Sequence, residues 1–147
     1  MLACTLPGDF FPPAFNCPHE VSRIGALGDG GKWVCGLSRL ASKPDCVIYS
    51  FGLDWDSSFE AAVLQRTRHC EIWGFDWVAG GFGKQVGKVE KDASGVLGVG
   101  GAGVRGRVHF VKVGLGAEDS HAKGDDPKLW TLRSLMRENG ASCAWHC

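Results

Sequence analysis

Two apolar, β-rich runs, CVIYSFG at residues 46–52 and CEIWGFDW at residues 70–77, bracket a segment with helical patterning. A near-continuous apolar run is what a strand buried on both faces of a parallel sheet requires. Between the runs, Ser57 and Glu60 stand at capping-box spacing. Phe59, Ala62, Val63 and Arg66 then follow at helical intervals, with Ala62 and Val63 as the apolar stripe. The spacing predicts a helix over residues 58–68. Strand, helix and strand within about 30 residues make a βαβ unit, and such crossovers are right-handed. A third strand is expected at residues 107–113, in RVHFVKVGLG. The fold class is therefore α/β.

The rest of the chain is arranged around that unit. At 147 residues it is one domain by length, large enough to bury a core. Residues 1–20 hold four of the six prolines and read as an irregular arm. Asp29-Gly30 and Gly30-Gly31 are hairpin-turn dipeptides, with a short strand expected at 32–37. Residues 79–106 are a glycine-rich insertion in which a short helix is expected at 84–91. Asp126-Pro127 reads as a helix start, and Leu129, Leu132, Leu135 and Met136 supply an apolar stripe ending before Gly140. The main domain thus spans 21–140, and 141–147 form an atypical tail.

Charge and cysteine content narrow the function classes. Sixteen acidic and sixteen basic residues give no net charge, which argues against a dominant nucleic-acid or membrane-surface field. No apolar run approaches the ~18 residues of a membrane helix. The opening MLACTLPGDFFPPAF lacks a basic leader and an apolar core, so a chain starting here is expected in the cytoplasm. Seven cysteines at scattered spacing, with no C-x-x-C, read as reduced and mostly buried thiols. Cys143, His146 and Cys147 are too short a cluster to close a four-ligand metal site. His109, inside the third strand, and His121, in the loop after it, read as structural or solvated.

A glycine motif tests whether a nucleotide binds. GVGGAG carries Gly98, Gly100 and Gly103 at the spacing of a dinucleotide loop. A working loop needs a strand before it and a helix after it. Here DASGVL precedes and the strand VRGRVHFVKV follows, so the motif reads as a surface insertion. SFGLD, Ser50 to Asp54, fits better, because ligands in open α/β sheets bind beyond the carboxyl ends of strands. Gly52 allows close backbone approach, and Asp76 ends the second strand 24 positions later. That is the place for a carboxylate that accepts hydrogen bonds from ribose hydroxyls. Trp55 and Trp77 flank this pocket as candidate stacking walls.

Five blocks, GDGGKWVC, YSFGLDWDSSFE, WGFD, HFVKVGLG and TLRSLMRENG, occur in the order found in S-adenosylmethionine-dependent methyltransferases. The chain resembles most of all the methyltransferase-like group related to the FkbM-type enzymes, over residues 17–140. The resemblance implies a Rossmann-like class I methyltransferase fold, here incomplete, with the first three parallel strands and their crossover helices. It implies S-adenosylmethionine as small-molecule cofactor, with Gly52 near its methionine part. Ser50, Phe51 and Asp54 would line that loop, and Asp76 would hold the ribose. Gly28 to Gly31 would form a cap, with Gly30 against the cofactor. No catalytic residue, methyl acceptor or metal is assigned.

The family continues after the LMRENG helix with a fourth, aliphatic strand, whereas here ENG runs into ASCAWHC. The expectation is a shortened domain whose first strand, normally central, becomes an apolar edge open to self-association. Two alternatives accompany the methyltransferase reading. One is a non-catalytic half-domain that acts through that edge. The other is a nicotinamide-dependent oxidoreductase, which SFGLDWDS disfavours because it lacks the three glycines.

Overall fold

The computed structural model describes residues 14–89 and 106–139. An antiparallel hairpin comes first, with β1 (Val21–Ile24) pairing Val21 to Cys35 and Ile24 to Lys32 on β2 (Lys32–Cys35). β2 ends two residues short of the expected 32–37, and a 3-10 turn (Leu37–Leu40) follows. Then come β3 (Val47–Phe51), α1 (Ser58–Arg66), β4 (Glu71–Phe75) and α2 (Lys84–Val89). After residue 106 lie β5 (Val108–Val111), β6 (Gly114–Leu115), β7 (Leu129–Trp130) and α3 (Leu132–Glu138).

The central sheet is parallel, in the order β3-β4-β5. Its register sets Ile48 beside Ile72 and Val108, and Tyr49 beside Trp73 and His109. Alternation along a strand sends these two rows to opposite faces. Ile48, Ile72 and Val108 join Ala61, Val63 and Leu64 of α1, Ile24 of the hairpin and Val86 of α2 in one core. Tyr49, Phe51, Trp73, Phe75 and Val111 pack on the other face with Val113, Trp130 and Leu135 of α3. Both faces are covered, which is why the strands read as continuous apolar runs. Among the described residues β3 has a neighbour on one side only. Thus α/β architecture, the three strands and the crossover helix are where the sequence puts them.

Local details differ for identifiable reasons. In α1 the buried residues are Glu60, Ala61, Val63 and Leu64, so the inward stripe is rotated from the expected Ala62 and Val63. The capping box does not form, because Ser57 makes no side-chain cap hydrogen bond. Its hydroxyl instead accepts from the Gly83 N–H at 2.8 Å, tying α1 to the start of α2. Asp56 accepts the Ser58 N–H at 2.8 Å in its place. Residues 126–127 do not start a helix. They join through a cis peptide, Leu129 and Trp130 pair with β6, and α3 begins at Leu132. Thr131 caps α3, accepting the Ser134 N–H through its hydroxyl.

The reduced-thiol expectation is also corrected. Cys17 is disulfide-bonded to Cys35, and Cys46 to Cys70. Cys46 and Cys70 directly precede the paired residues Val47 and Glu71, so parallel register brings two cysteines 24 positions apart side by side. Sequence spacing alone carries no trace of that register. The GVGGAG motif, the Cys143, His146 and Cys147 group, Gly140 and the 141–147 tail lie outside the described residues.

Candidate functional site

The carboxyl ends of β3 and β4 open into two adjoining clefts that share Phe51, Gly52 and Asp54. The larger, about 290 Å³, is walled by Phe75, Asp76, Trp77 and Val78 and by Val113 to Leu115 beyond β5. The smaller, about 100 Å³, lies toward the hairpin and takes in Asp29, Gly30, Lys32, Ser50 and Glu60.

Gly52 lies where the two meet. Its φ is +67°, a left-handed conformation that a side chain pays to adopt. Among the described residues, its chain neighbours aside, no atom lies within 4 Å of where a Cβ would stand. The site therefore needs glycine for its backbone shape, and the space beside that backbone is open. Asp54 is left-handed too, with φ +46°, the one non-glycine residue of this kind among the described residues. Backbone strain of this sort, about 1–3 kcal/mol, persists where the surroundings over-determine it.

The surroundings are Asp76. Its Oδ2 accepts the Asp54 N–H at 3.2 Å, and its Oδ1 accepts the N–H groups of Val78 (2.7 Å) and Ala79 (2.8 Å). Gly52 donates to the Phe75 carbonyl at 3.1 Å. The loop after β3 is thereby laced to the end of β4. Asp76 is only 8% exposed. Burial pushes its carboxyl up, but the N–H groups of Ala79, Val78, Asp54 and Leu53 outweigh burial and hold it below the usual carboxylate range. An ionised carboxylate thus sits at the cleft wall at neutral pH.

The hairpin closes the smaller cleft from above. Arg23 holds the turn by donating to the carbonyls of Ala26 (2.6 Å) and Gly28 (2.8 Å). Ala26 donates to the Ser58 hydroxyl at 2.9 Å, which docks the turn on the start of α1. Gly30 lies so close to the Asp56 carboxylate that a Cβ would collide with it.

Ser50, Phe51, Gly52, Asp54, Asp76 and Gly30, all predicted from sequence, are brought together around these two clefts. Trp77 lines the larger one, whereas Trp55 is 70% exposed and lines neither. His109 stacks on Trp73 at 4.2 Å and His121 on Trp130 at 3.9 Å, both away from the cleft linings.

Three charged lining residues escaped sequence reasoning, Asp56, Glu60 and Lys32. Glu60, taken there as a helix cap, turns inward and accepts the Ser50 hydroxyl hydrogen bond at 2.5 Å. Its spacing from Val63 and Leu64 was the available signal, since i+3 and i+4 neighbours share a helix face. Desolvation raises its carboxyl above the usual range, against the lowering effects of Ser50 and Lys32. Lys32, at the start of β2, lines the same cleft and donates to the Asp29 carbonyl.

No curated protein and no solved structure matches the chain. The model of a family described as a methyltransferase domain matches residues 7–122, well over half of the sequence. That stretch contains β1 to β5 and every residue of the two clefts. The chain belongs to the methyltransferase-domain family.

Proposed function

We propose that the chain binds S-adenosylmethionine across Gly52 and transfers its methyl group to an oxygen or nitrogen nucleophile. The observation that carries this reading is the pair of clefts joined at Gly52, at the carboxyl ends of parallel strands. Ligands of open α/β sheets bind at that end. A long ligand with a nucleoside at one end and an amino acid at the other suits a large and a small cleft meeting over an open glycine backbone. In this reading β3, β4 and β5 are the first three strands of a Rossmann-like class I domain, within residues 21–140.

When bound, the cofactor supplies an activated methyl group on a sulfonium centre. The protein's part is binding and alignment. Asp76 is the acceptor for ribose hydroxyls, held ionised by its backbone donors. Trp77 and Phe75 give the nucleoside apolar walls. Ser50, Phe51, Gly52 and Asp54 shape the crossing to the methionine end, and Gly30 caps it from the hairpin.

A second reading follows from β3, whose free side is unpaired among the described residues and begins with the 42% exposed Val47. Such an edge supports pairing with a second copy. Sedimentation velocity separates the readings, since a binding monomer needs no partner.

Equilibrium dialysis with labelled S-adenosylmethionine tests the main proposal. Saturable binding that Asp76→Ala weakens supports it. A folded protein that retains no label overturns it.

A further inference from the structure

Gln85 lines neither cleft, yet its side chain grips the loop that does. It is half-buried in the first turn of α2. Its Oε1 accepts the Ser57 N–H at 3.3 Å, and its Nε2 donates to Oδ1 of Asp56 at 3.1 Å. One side chain thus meets a donor and an acceptor on consecutive residues, a task that suits an amide, which carries both kinds of group. Gly83 completes the seat. A Cβ there would stand 2.5 Å from the Trp55 carbonyl oxygen and 3.1 Å from the Ser57 nitrogen. The Gly83 N–H donates to the Ser57 hydroxyl at 2.8 Å, and Ser57 is fully buried. Residues 55–57 and 83–85 are therefore packed and bonded as one unit.

Asp56 carries this grip across to the cleft. Its carboxylate lines the smaller one, accepts the Ser58 N–H at 2.8 Å and lies against Gly30 of the hairpin turn. In that lining Asp29, Asp54 and Glu60 repel it, and Lys32 is the one cation. A neutral amide donor holds such a carboxylate in place and leaves its charge intact, where a lysine or arginine would also cancel it. We infer that Gln85 is a positioning residue: through Asp56 it sets the gap between the start of α1 and the Gly30 turn, and with it the width of the smaller cleft. The inference rests on the cofactor reading for its ligand. It adds to the groups that determine affinity a residue of α2 that stands behind the lining.

Calorimetry with S-adenosylhomocysteine at about pH 7.5 and about pH 5, on either side of paired-carboxylate titration, tests this on wild type and two variants. Gln85→Leu removes both hydrogen bonds and is expected to weaken binding about tenfold at each pH, the size of one lost hydrogen bond to a charged group. Gln85→Glu keeps the acceptor for Ser57 but sets a second carboxylate against Asp56. Its loss should be at least as large at the higher pH and shrink toward wild type at the lower, because two close carboxylates share a proton and regain the missing bond. Asp29, Lys32, Asp54 and Glu60 of the lining, and Lys84 beside Gln85, are common to all three proteins. The affinity ratio at each pH therefore isolates the added carboxyl. Variants that bind as wild type does, or a Gln85→Glu loss equal at both pH values, overturn the positioning role and leave the cofactor reading standing. If Gln85→Glu does not fold, the Gly30 amide resonance of ligand-free Gln85→Leu decides: a shift supports the role, and an unmoved resonance overturns it. A folded wild type that binds no S-adenosylhomocysteine overturns both.

Discussion

The backbone N–H of Asp54 donates to Oδ2 of Asp76, 3.2 Å away, so a left-handed residue after β3 is held by a carboxylate at the end of β4. One side chain therefore fixes the shape of the loop and lines the cleft above it. In the proposed reading binding and folding are coupled at this point, and substitutions there should be read in both ways.

Asp76→Ala removes the acceptor of three backbone donors, one buried and two partly buried, and is expected to cost about 3 kcal/mol, since a buried N–H left unpaired costs roughly 1–3 kcal/mol and a partly buried one less. Because the native carboxyl lies below its ordinary value of 3.8, its contribution is present above that value. It is lost as pH falls through the lowered native pKa. Urea midpoints across an acid series should show wild type and variant converging on the acid side.

Gly52→Ala meets no atom, so its cost is the backbone term alone, about 1–2 kcal/mol for a left-handed L-residue. Denaturant unfolding should give that loss with an unchanged m-value. Gly52→Val, which adds bulk where the two clefts meet, should weaken labelled-cofactor binding more than it weakens folding.

Replacing Cys46 and Cys70 together by serine and alanine removes a cross-link between residues 24 apart. The chain-entropy model assigns a loop of that length about 3 kcal/mol. A matching fall in stability on adding dithiothreitol to wild type, absent in the double variant apart from the Cys17–Cys35 share, checks the bond in solution.

Glu60 titrates in the opposite sense to Asp76. Its native carboxyl is raised by burial, so the native state binds the proton more tightly than the unfolded chain. Stability attributable to it is full below the ordinary carboxylate value of 4.5 and declines as pH rises through the raised native value. Glu60→Gln should flatten that decline and be the more stable protein at neutral pH, because it removes a charge whose burial is costly. Thermal melts from pH 4 to 8 measure it.

The βαβ unit was legible because both strands are buried on two faces, which leaves an unbroken apolar signature at Val47–Phe51 and Glu71–Phe75. The positions of Gly52 and Asp76 at the ends of β3 and β4 were legible from the same strand pattern, and the structure places both in one cleft lining. Glu60 was hidden by a local pattern, Ser-x-x-Glu, that fits a cap equally well; only packing shows Ser57 bonded to Gly83 and Glu60 to Ser50. The Asp54 conformation and the Cys46–Cys70 bond depend on the register between two strands, a long-range quantity. The start of α3 was misplaced because Asp126-Pro127 carries a start signal while Thr131 has the capping geometry.

A chemical-shift titration of the isotope-labelled 15.8 kDa protein with S-adenosylhomocysteine reports directly on binding across Gly52. The amides of Gly52 and Asp54, which line both clefts, and of Val78, in the larger one, are expected to shift together and saturably. Saturating ligand that moves none of these amides, or moves only residues remote from them, would contradict the proposed site.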